Sequence, residues 1–143
     1  MALIKSVKGK KPIFGKDCFL ADNSTIIGEV ETGNNCSFWF NSVVRGDVHY
    51  IKMGDFVNVQ DGACIHCTHE THPTNIGNYV SIAHHAIVHG CTIENTHVES
   101  GTVYAGIPAK KVKDIDPERL EGTVKRISQA YPTYASWIDK DLL

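Results

Sequence analysis

The sequence predicts an all-β protein, a left-handed parallel β-helix built on a hexapeptide repeat, closed by a C-terminal α-helix. Two observations carry the β-helix. Apolar or small residues recur at six-residue spacing at Leu20, Ile26, Thr32, Phe38 and Val44, then at Met53, Val59 and Ile65, then at Ile76, Ile82 and Val88. Gly or Ala follows several of them, as in Leu20-Ala21, Thr32-Gly33, Met53-Gly54, Ile76-Gly77 and Ile82-Ala83. A period this short means that each hexad supplies one strand of a triangular coil, stacked on its neighbours. The third observation concerns the tail, where apolar spacing changes from six to helical.

Each element follows from local signals. Residues 1 to about 17 are Lys-rich and read as an edge strand that caps the first coil. Coils run from about Leu20 to Ile93, and the phase slips only after Val44 and after Ile65, predicting outward loops at Asp47–Lys52 and Thr68–Asn75. A last extended piece, His97 to Val112, includes Ala105-Gly-Ile-Pro-Ala-Lys-Lys111, a turn that leaves the prism. Asp116-Pro117-Glu118 then opens a helix, with Asp as N-cap, Pro in the first position and an acid in the first turn. Leu120, Val124, Ile127 and Tyr131 give that helix one apolar face, and Pro132 is expected to break or kink it before a short turn at Tyr134, Trp137 and Ile138. The division is therefore a β-helix over 1–112 and a helical segment over 113–143.

The six-residue phase also acts as a protractor. One face per hexad puts Ile26, Val44, Ile65 and Val88 on a first face (A), Thr32, Met53 and Ile76 on a second (B), and Leu20, Phe38, Val59 and Ile82 on a third (C). These residues point inward, so their successors point outward. Arg45, His66 and His89 then form one outward column on face A, on coils about 4.8 Å apart. That spacing lets His66 and His89 share a metal ion. His84, two residues after Ile82, belongs to face C and cannot easily turn to meet them. In a threefold homo-oligomer, face A of one subunit meets face C of the next, so a neighbour's His84 completes a three-histidine site.

Composition narrows the setting. The chain has 143 residues, 42% hydrophobic, which is enough for one core and not two. A formal net charge of −2 gives no reason to expect nucleic acid or an acidic membrane surface as partner. No apolar stretch is long enough to span a bilayer, and the first residues lack a signal-peptide core. Five cysteines, Cys18, Cys36, Cys64, Cys67 and Cys91, are an odd number and read as reduced thiols of a cytoplasmic protein. Cys64 and Cys67 straddle a coil strand instead of opening a helix, which argues against a redox or zinc-ribbon motif.

The segments Asn41-Ser-Val-Val-Arg45-Gly-Asp47, Asn58-Val-Gln60-Asp61-Gly62, His66 and Ala83-His84-His-Ala-Ile-Val-His89-Gly-Cys91 together resemble the gamma-class carbonic anhydrase-like family. The Ala105-Gly-Ile-Pro-Ala-Lys110 tail fits too, but is shared with hexapeptide acyltransferases. The resemblance covers nearly the whole chain. It implies a trimer with zinc, or sometimes iron or cobalt, between subunits, held by His66 and His89 of one chain and His84 of the next. It also implies that Gln60 orients a metal-bound hydroxide with Asn58 assisting, and that Tyr134 can approach the metal from the C-terminal helix. Two departures stand out. After Ile93 roughly one and a half to two further coils, about 30 residues, are expected before the closing turn and are not there. The acidic loop of active members corresponds to Thr68-His-Glu-Thr-His-Pro-Thr74, richer in histidine than in acid.

The residue types suit the chemistry. Three neutral imidazoles bind zinc and leave a fourth position open to water, whose pKa the ion brings towards 7. Arg45, under His66, faces a neighbour's Asp61, so an Arg–Asp pair would tie the ligands to assembly. His49, His69, His72, His85 and His97 read as solvated. The leading function is a zinc-dependent lyase converting carbon dioxide to bicarbonate. The alternatives are a hexapeptide acyltransferase using a coenzyme A thioester and one histidine as base, and a metal-binding but catalytically silent scaffold.

Overall fold

The computed structural model describes residues 1–89, 96–98, 102–105, 110–114, 116–119, 122 and 125–138. The chain folds as a left-handed parallel β-helix of roughly four turns with a short C-terminal helix. In chain order its strands are β1 (Leu3–Lys5), β2 (Phe19–Leu20), β3 (Thr25–Thr32), β4 (Ser37–Phe38), β5 (Val43–Met53), β6 (Asn58–Val59), β7 (Cys64–His66), β8 (Thr74–Ile76), β9 (Ser81–Ile82), β10 (Ile87–His89) and β11 (Thr96–Val98). A separate pair, β12 (Thr102–Ala105) and β13 (Lys110–Asp114), and the helices α1 (Pro117–Arg119) and α2 (Lys125–Ser136) follow.

The ladders reproduce the three faces read from the hexads. On face A, Ile26 pairs with Val44, Val44 with Ile65 and Ile65 with Val88. On face B, Thr32, Met53 and Ile76 are in register. On face C, Leu20, Phe38, Val59 and Ile82 are stacked. Every coil residue therefore lies on its like one coil below, and the core is a column of aliphatic side chains. Ile26, Phe38, Val44, Val59 and Ile65 are fully buried. Truncating one such side chain, Ile65→Ala for example, leaves a void inside the prism and costs about 2–5 kcal/mol.

The corners explain how the chain turns. Asp17, Asn35, Phe56 and Tyr79 each stand two residues before a face C strand, and Asn23, Asn41, Gly62 and His85 two before a face A strand; all eight have positive φ, between 54° and 69°. Asn, Asp and Gly accept that conformation readily, whereas Phe56, Tyr79 and His85 take it at a cost of about 1 kcal/mol or more each. Stacking offsets part of it: the Phe56 and Tyr79 rings are 5.2 Å apart and 6° from parallel. The remaining corner, between faces A and B, turns within a continuous strand in β3 and β5. There Gly28, at φ +79°, lies so close to the next coil that a Cβ would be 2.2 Å from the Gly46 carbonyl oxygen.

Several boundaries differ from the sequence reading. The excursion after Val44 is a bulge inside β5, because Ile51 and Lys52 are already back in register with Val30 and Glu31. The second loop ends earlier too, since Thr74 and Asn75 belong to β8 and pair with Ile51 and Lys52. Backbone partners on the neighbouring coil recapture the chain sooner than side-chain phase alone indicates. The first 17 residues are more than a cap: β1 pairs with β3 and Ile13 bridges to Glu31, so they form a coil of their own. Its end is open, and Ile4, inward-facing beneath Ile26, is 49% exposed.

Coil structure also outlasts Ile93, because β11 pairs with β8 on face B. The closing piece is an antiparallel hairpin of β12 and β13, not one extended run. Residues 90–95 and 106–109, with Cys91 and the Gly-Ile-Pro-Ala turn, lie outside the described residues, as do Leu120, Val124 and the side chains of His97 and Ile127. Asp116 caps α1, its Oδ1 accepting from the amides of Glu118 at 2.9 Å and Arg119 at 3.4 Å. Helix α2 runs through Pro132 to Ser136, so the expected break is absent. Ring contacts on either side of the proline hold the chain there: Tyr131 against Trp39 at 5.4 Å, and Tyr134 against Trp137 at 5.1 Å.

Candidate functional site

The outward column of face A collects the first part of the site. Arg45, His66 and His89 are in register on β5, β7 and β10, and the His66 and His89 rings are 5.0 Å apart. Parallel pairing fixes this approach: two outward side chains on adjacent coils have no other place to go. Asp47, the first residue of the β5 bulge, lies beside them. Its Oδ1 is 2.9 Å from His66 Nε2, and its Oδ2 accepts from the Arg45 guanidinium. Partial burial raises the Asp47 pKa, but the hydrogen bonds from His66 and Arg45 outweigh that and hold the carboxyl below its usual range. Asp47 was not among the residues singled out from the sequence. Its signal was present in Arg45-Gly-Asp47, where a bulge returns the carboxylate towards its neighbour.

Face C and the following corner hold the second part. His84 is in the turn after β9 and not on the strand, with its side chain 62% exposed, and its Nδ1 is 3.1 Å from Asp61 Oδ2. Asp61 is in the equivalent turn one coil below. Gln60 donates from Nε2 to Asn58 Oδ1 at 3.1 Å and to Ser81 Oγ at 2.9 Å, while Ser81 donates to Asn58 at 2.8 Å. Asn58 is buried, and its Nδ2 is the buried side-chain polar atom without a hydrogen-bond partner among the described residues. Helix α2 lies over this face: Tyr131 packs on Trp39 and hydrogen-bonds Gln60, and burial raises its phenol pKa. Tyr134 is exposed and touches Tyr131 and Trp137 instead.

The site residues thus fall into two groups within one chain. Arg45, Asp47, His66 and His89 are together on face A; Asn58, Gln60, Asp61 and His84 are together around face C. Among the described residues no three His, Cys, Asp or Glu side chains converge on one point. Arg45 and Asp61, expected as a pair across subunits, each have a partner in their own chain, Asp47 and His84. Of the histidines expected in solvent, His69 and His85 are exposed, the His85 imidazole occupying the space a Gly62 Cβ would need, whereas His49 is half-buried, accepts from the Tyr50 amide and meets its ring edge-on.

The fold and this imidazole column define a class: hexapeptide-repeat β-helix proteins with paired outward histidines. Comparison with known proteins is more specific. The chain is 30% identical over 169 aligned positions to gamma carbonic anhydrase 1, mitochondrial, of Arabidopsis thaliana, covering 93% of this chain and 60% of the relative. It is 28% identical to protein YrdA of Escherichia coli over 92% of this chain and 89% of the relative, and 43% identical to a probable carbonic anhydrase of Methanocaldococcus jannaschii over 58% of this chain and 52% of the relative. A hexapeptide transferase family protein from Anaplasma phagocytophilum superposes with a TM-score of 0.75 at 26% identity, over 95% of this chain and 98% of that one. No family model matches. Over most of its length the chain is thus similar to curated relatives named gamma carbonic anhydrase, on a fold it shares with a hexapeptide transferase family protein.

The chain spans 60% of the Arabidopsis relative and 52% of the archaeal one. An alignment of 169 positions against 143 residues also means that the plant protein has residues where this chain has none, in keeping with the coils missing from the sequence pattern. Mitochondrial and bacterial relatives stand side by side, so the cytoplasmic expectation is not carried forward. Among the described residues no helix is long and apolar enough to cross a membrane.

Proposed function

We propose that the protein is a carbonic anhydrase that hydrates carbon dioxide to bicarbonate, working as a homotrimer with zinc at each interface. The observation that carries this reading is the His66–His89 pair, two imidazoles 5.0 Å apart on one outward column. Imidazole is a ligand type that suits zinc, and two from one chain with one from a neighbour leave a position open for water. His66 and His89 would supply two of the ligands and His84 of the adjoining chain the third. Zinc held there would contribute Lewis acidity, lowering the pKa of a water towards 7.

The remaining steps belong to the chain's own side chains. Asp61 takes Nδ1 of His84 and so leaves its Nε2 for ligation, the arrangement in which a carboxylate fixes tautomer and ring orientation. Asp47 takes Nε2 of His66, so ligation through that nitrogen requires the carboxylate to turn towards Arg45, which already holds its other oxygen. Gln60, held by Asn58 and Ser81, is the group that orients the attacking oxygen. Tyr131 braces Gln60 from α2. Iron or cobalt would meet the same donor set.

The test is metal analysis of protein purified without chelators, beside a carbon dioxide hydration assay and a solution mass. About one zinc per chain, a trimeric mass and hydration above buffer support the proposal. A zinc-loaded trimer without hydration leaves a silent scaffold. The hexapeptide transferase likeness favours a second reading, an acyltransferase taking a coenzyme A thioester with one histidine as base. Metal-free protein that binds and turns over an acyl-coenzyme A establishes that reading instead.

A further inference from the structure

We propose that Cys18 and Cys36 are an oxidisable dithiol, closing to a disulfide that joins the first two coils. Pairing of Phe19 with Ser37 places the preceding residues, Cys18 and Cys36, side by side on adjacent coils, and the Phe19 amide donates to the Cys36 carbonyl at 2.9 Å. In-register parallel neighbours have Cα atoms about 4.8 Å apart, inside the span a disulfide bridges. Each thiol is the leading influence on the pKa of the other. Cys18 Sγ also reaches the Gly33 carbonyl at 3.4 Å and Thr32 Oγ1 at 3.7 Å, while Cys36 Sγ donates to the Gly54 carbonyl at 3.2 Å.

The surroundings divide the roles. Cys18 is partly exposed and Cys36 is buried. The neighbouring Cys36 side chain outweighs burial at Cys18 and lowers its pKa to about 6, while Cys36 is pushed up by Cys18 and by burial. The outer sulfur is therefore the nucleophile and the inner one resolves. Among the described residues the other thiols do not form such a pair. Cys64 flanks the inward Ile65 and so points out of face A, whereas Cys67 is buried, with its Sγ on the His49 carbonyl at 3.2 Å.

The oxidant class is a hydroperoxide. The Cys18 thiolate attacks one peroxide oxygen and the O–O bond breaks. That leaves a sulfenic acid on Cys18, and the departing oxyanion takes a proton from solvent. The Cys36 sulfur then attacks Cys18 sulfur. The S–S bond forms, the S–O bond breaks, and the oxygen leaves as water with the Cys36 proton. Two thiols lose two electrons and the peroxide gains them.

Hydrogen peroxide treatment of the whole protein, followed by non-reducing proteolysis after Glu29 and Glu31, separates the two cysteines unless they are bonded. Expected are a joined peptide pair lighter by two hydrogens, loss of two of the five thiols, and a Tm several degrees higher that dithiothreitol reverses. Cys18→Ser and Cys36→Ala should each abolish the joined pair, and Cys64→Ser should leave it. Cys36→Ala empties a buried position, so the Cys18→Ser variant, on the partly exposed side, decides the matter. Sulfinic acid on Cys18 without a joined pair overturns the proposal, as does a disulfide that persists in Cys18→Ser or five intact thiols after exposure that oxidises free cysteine.

Discussion

Asp47 bonds a histidine with one oxygen and an arginine with the other, and it is the residue whose importance the sequence concealed. Hexad phase assigns strand residues to faces but is silent inside a bulge, where the backbone chooses the direction. Asp47→Asn should keep the fold, release His66 and Arg45 together, and lower stability by about 1–3 kcal/mol, read from urea unfolding. A neutral result would mean that Arg45 and His66 find water as readily. Gln60→Ala addresses chemistry: metal content and mass should hold while hydration slows roughly ten- to a hundredfold, the cost of one orienting hydrogen bond. Wild-type rates in that variant would make Gln60 structural. Thiol reactivity gives a third reading at this scale. Cys18, lowered to about 6, should alkylate fastest at pH 7, its rate rising through pH 6 as the thiolate forms; Cys67, raised by burial to about 11, should be slow until far more alkaline pH. Equal rates, followed by mass spectrometry of alkylated peptides, would remove the distinction.

At the scale of the element, the strands were legible because one rule, a six-residue step, both selects the inward residue and stacks it on its like. Loop ends were less legible. Thr74 and Lys52 carry no apolar signal, and backbone partners one coil below decide that they are strand. The helix was harder still. Its phase about its own axis depends on which ring meets Trp39, and docking places Tyr131 there, beside Gln60, a contact the spacing of apolar residues does not specify. Corners hold the least tolerance. Gly28→Ala would place a Cβ against the Gly46 carbonyl and force a positive φ on alanine. The expected loss is roughly 2 kcal/mol or more, measured by thermal unfolding with helix content as an independent signal. Gly9→Ala, also at positive φ but with open space around it, serves as the control for conformation without collision and should cost less.

For the molecule as a whole, the sequence carried the division of the candidate histidines between two faces, because register follows from phase; it could not carry assembly, which depends on surfaces of two copies. If His66 and His89 act with a neighbour's His84, then His66→Ala and His84→Ala chains, each unable to hold zinc, should regain part of it when mixed under subunit exchange. Mixed oligomers with demonstrated exchange and no recovered zinc would place the ligands otherwise. The open first coil has a different consequence. A β-helix is a template along its axis, and Leu3–Lys5 presents a row of unpaired backbone groups with Ile4 half bare beneath the core. Five lysines and no acid occupy residues 1–16, with Lys10 spent on Glu29. Like charges meeting end to end repel, so these lysines should oppose axial stacking of one first coil on another. Replacing Lys5, Lys8 and Lys11 with glutamine should leave the Tm nearly unchanged yet speed the rise of light scattering at high protein concentration, and high salt should do the same to the unaltered chain by screening them.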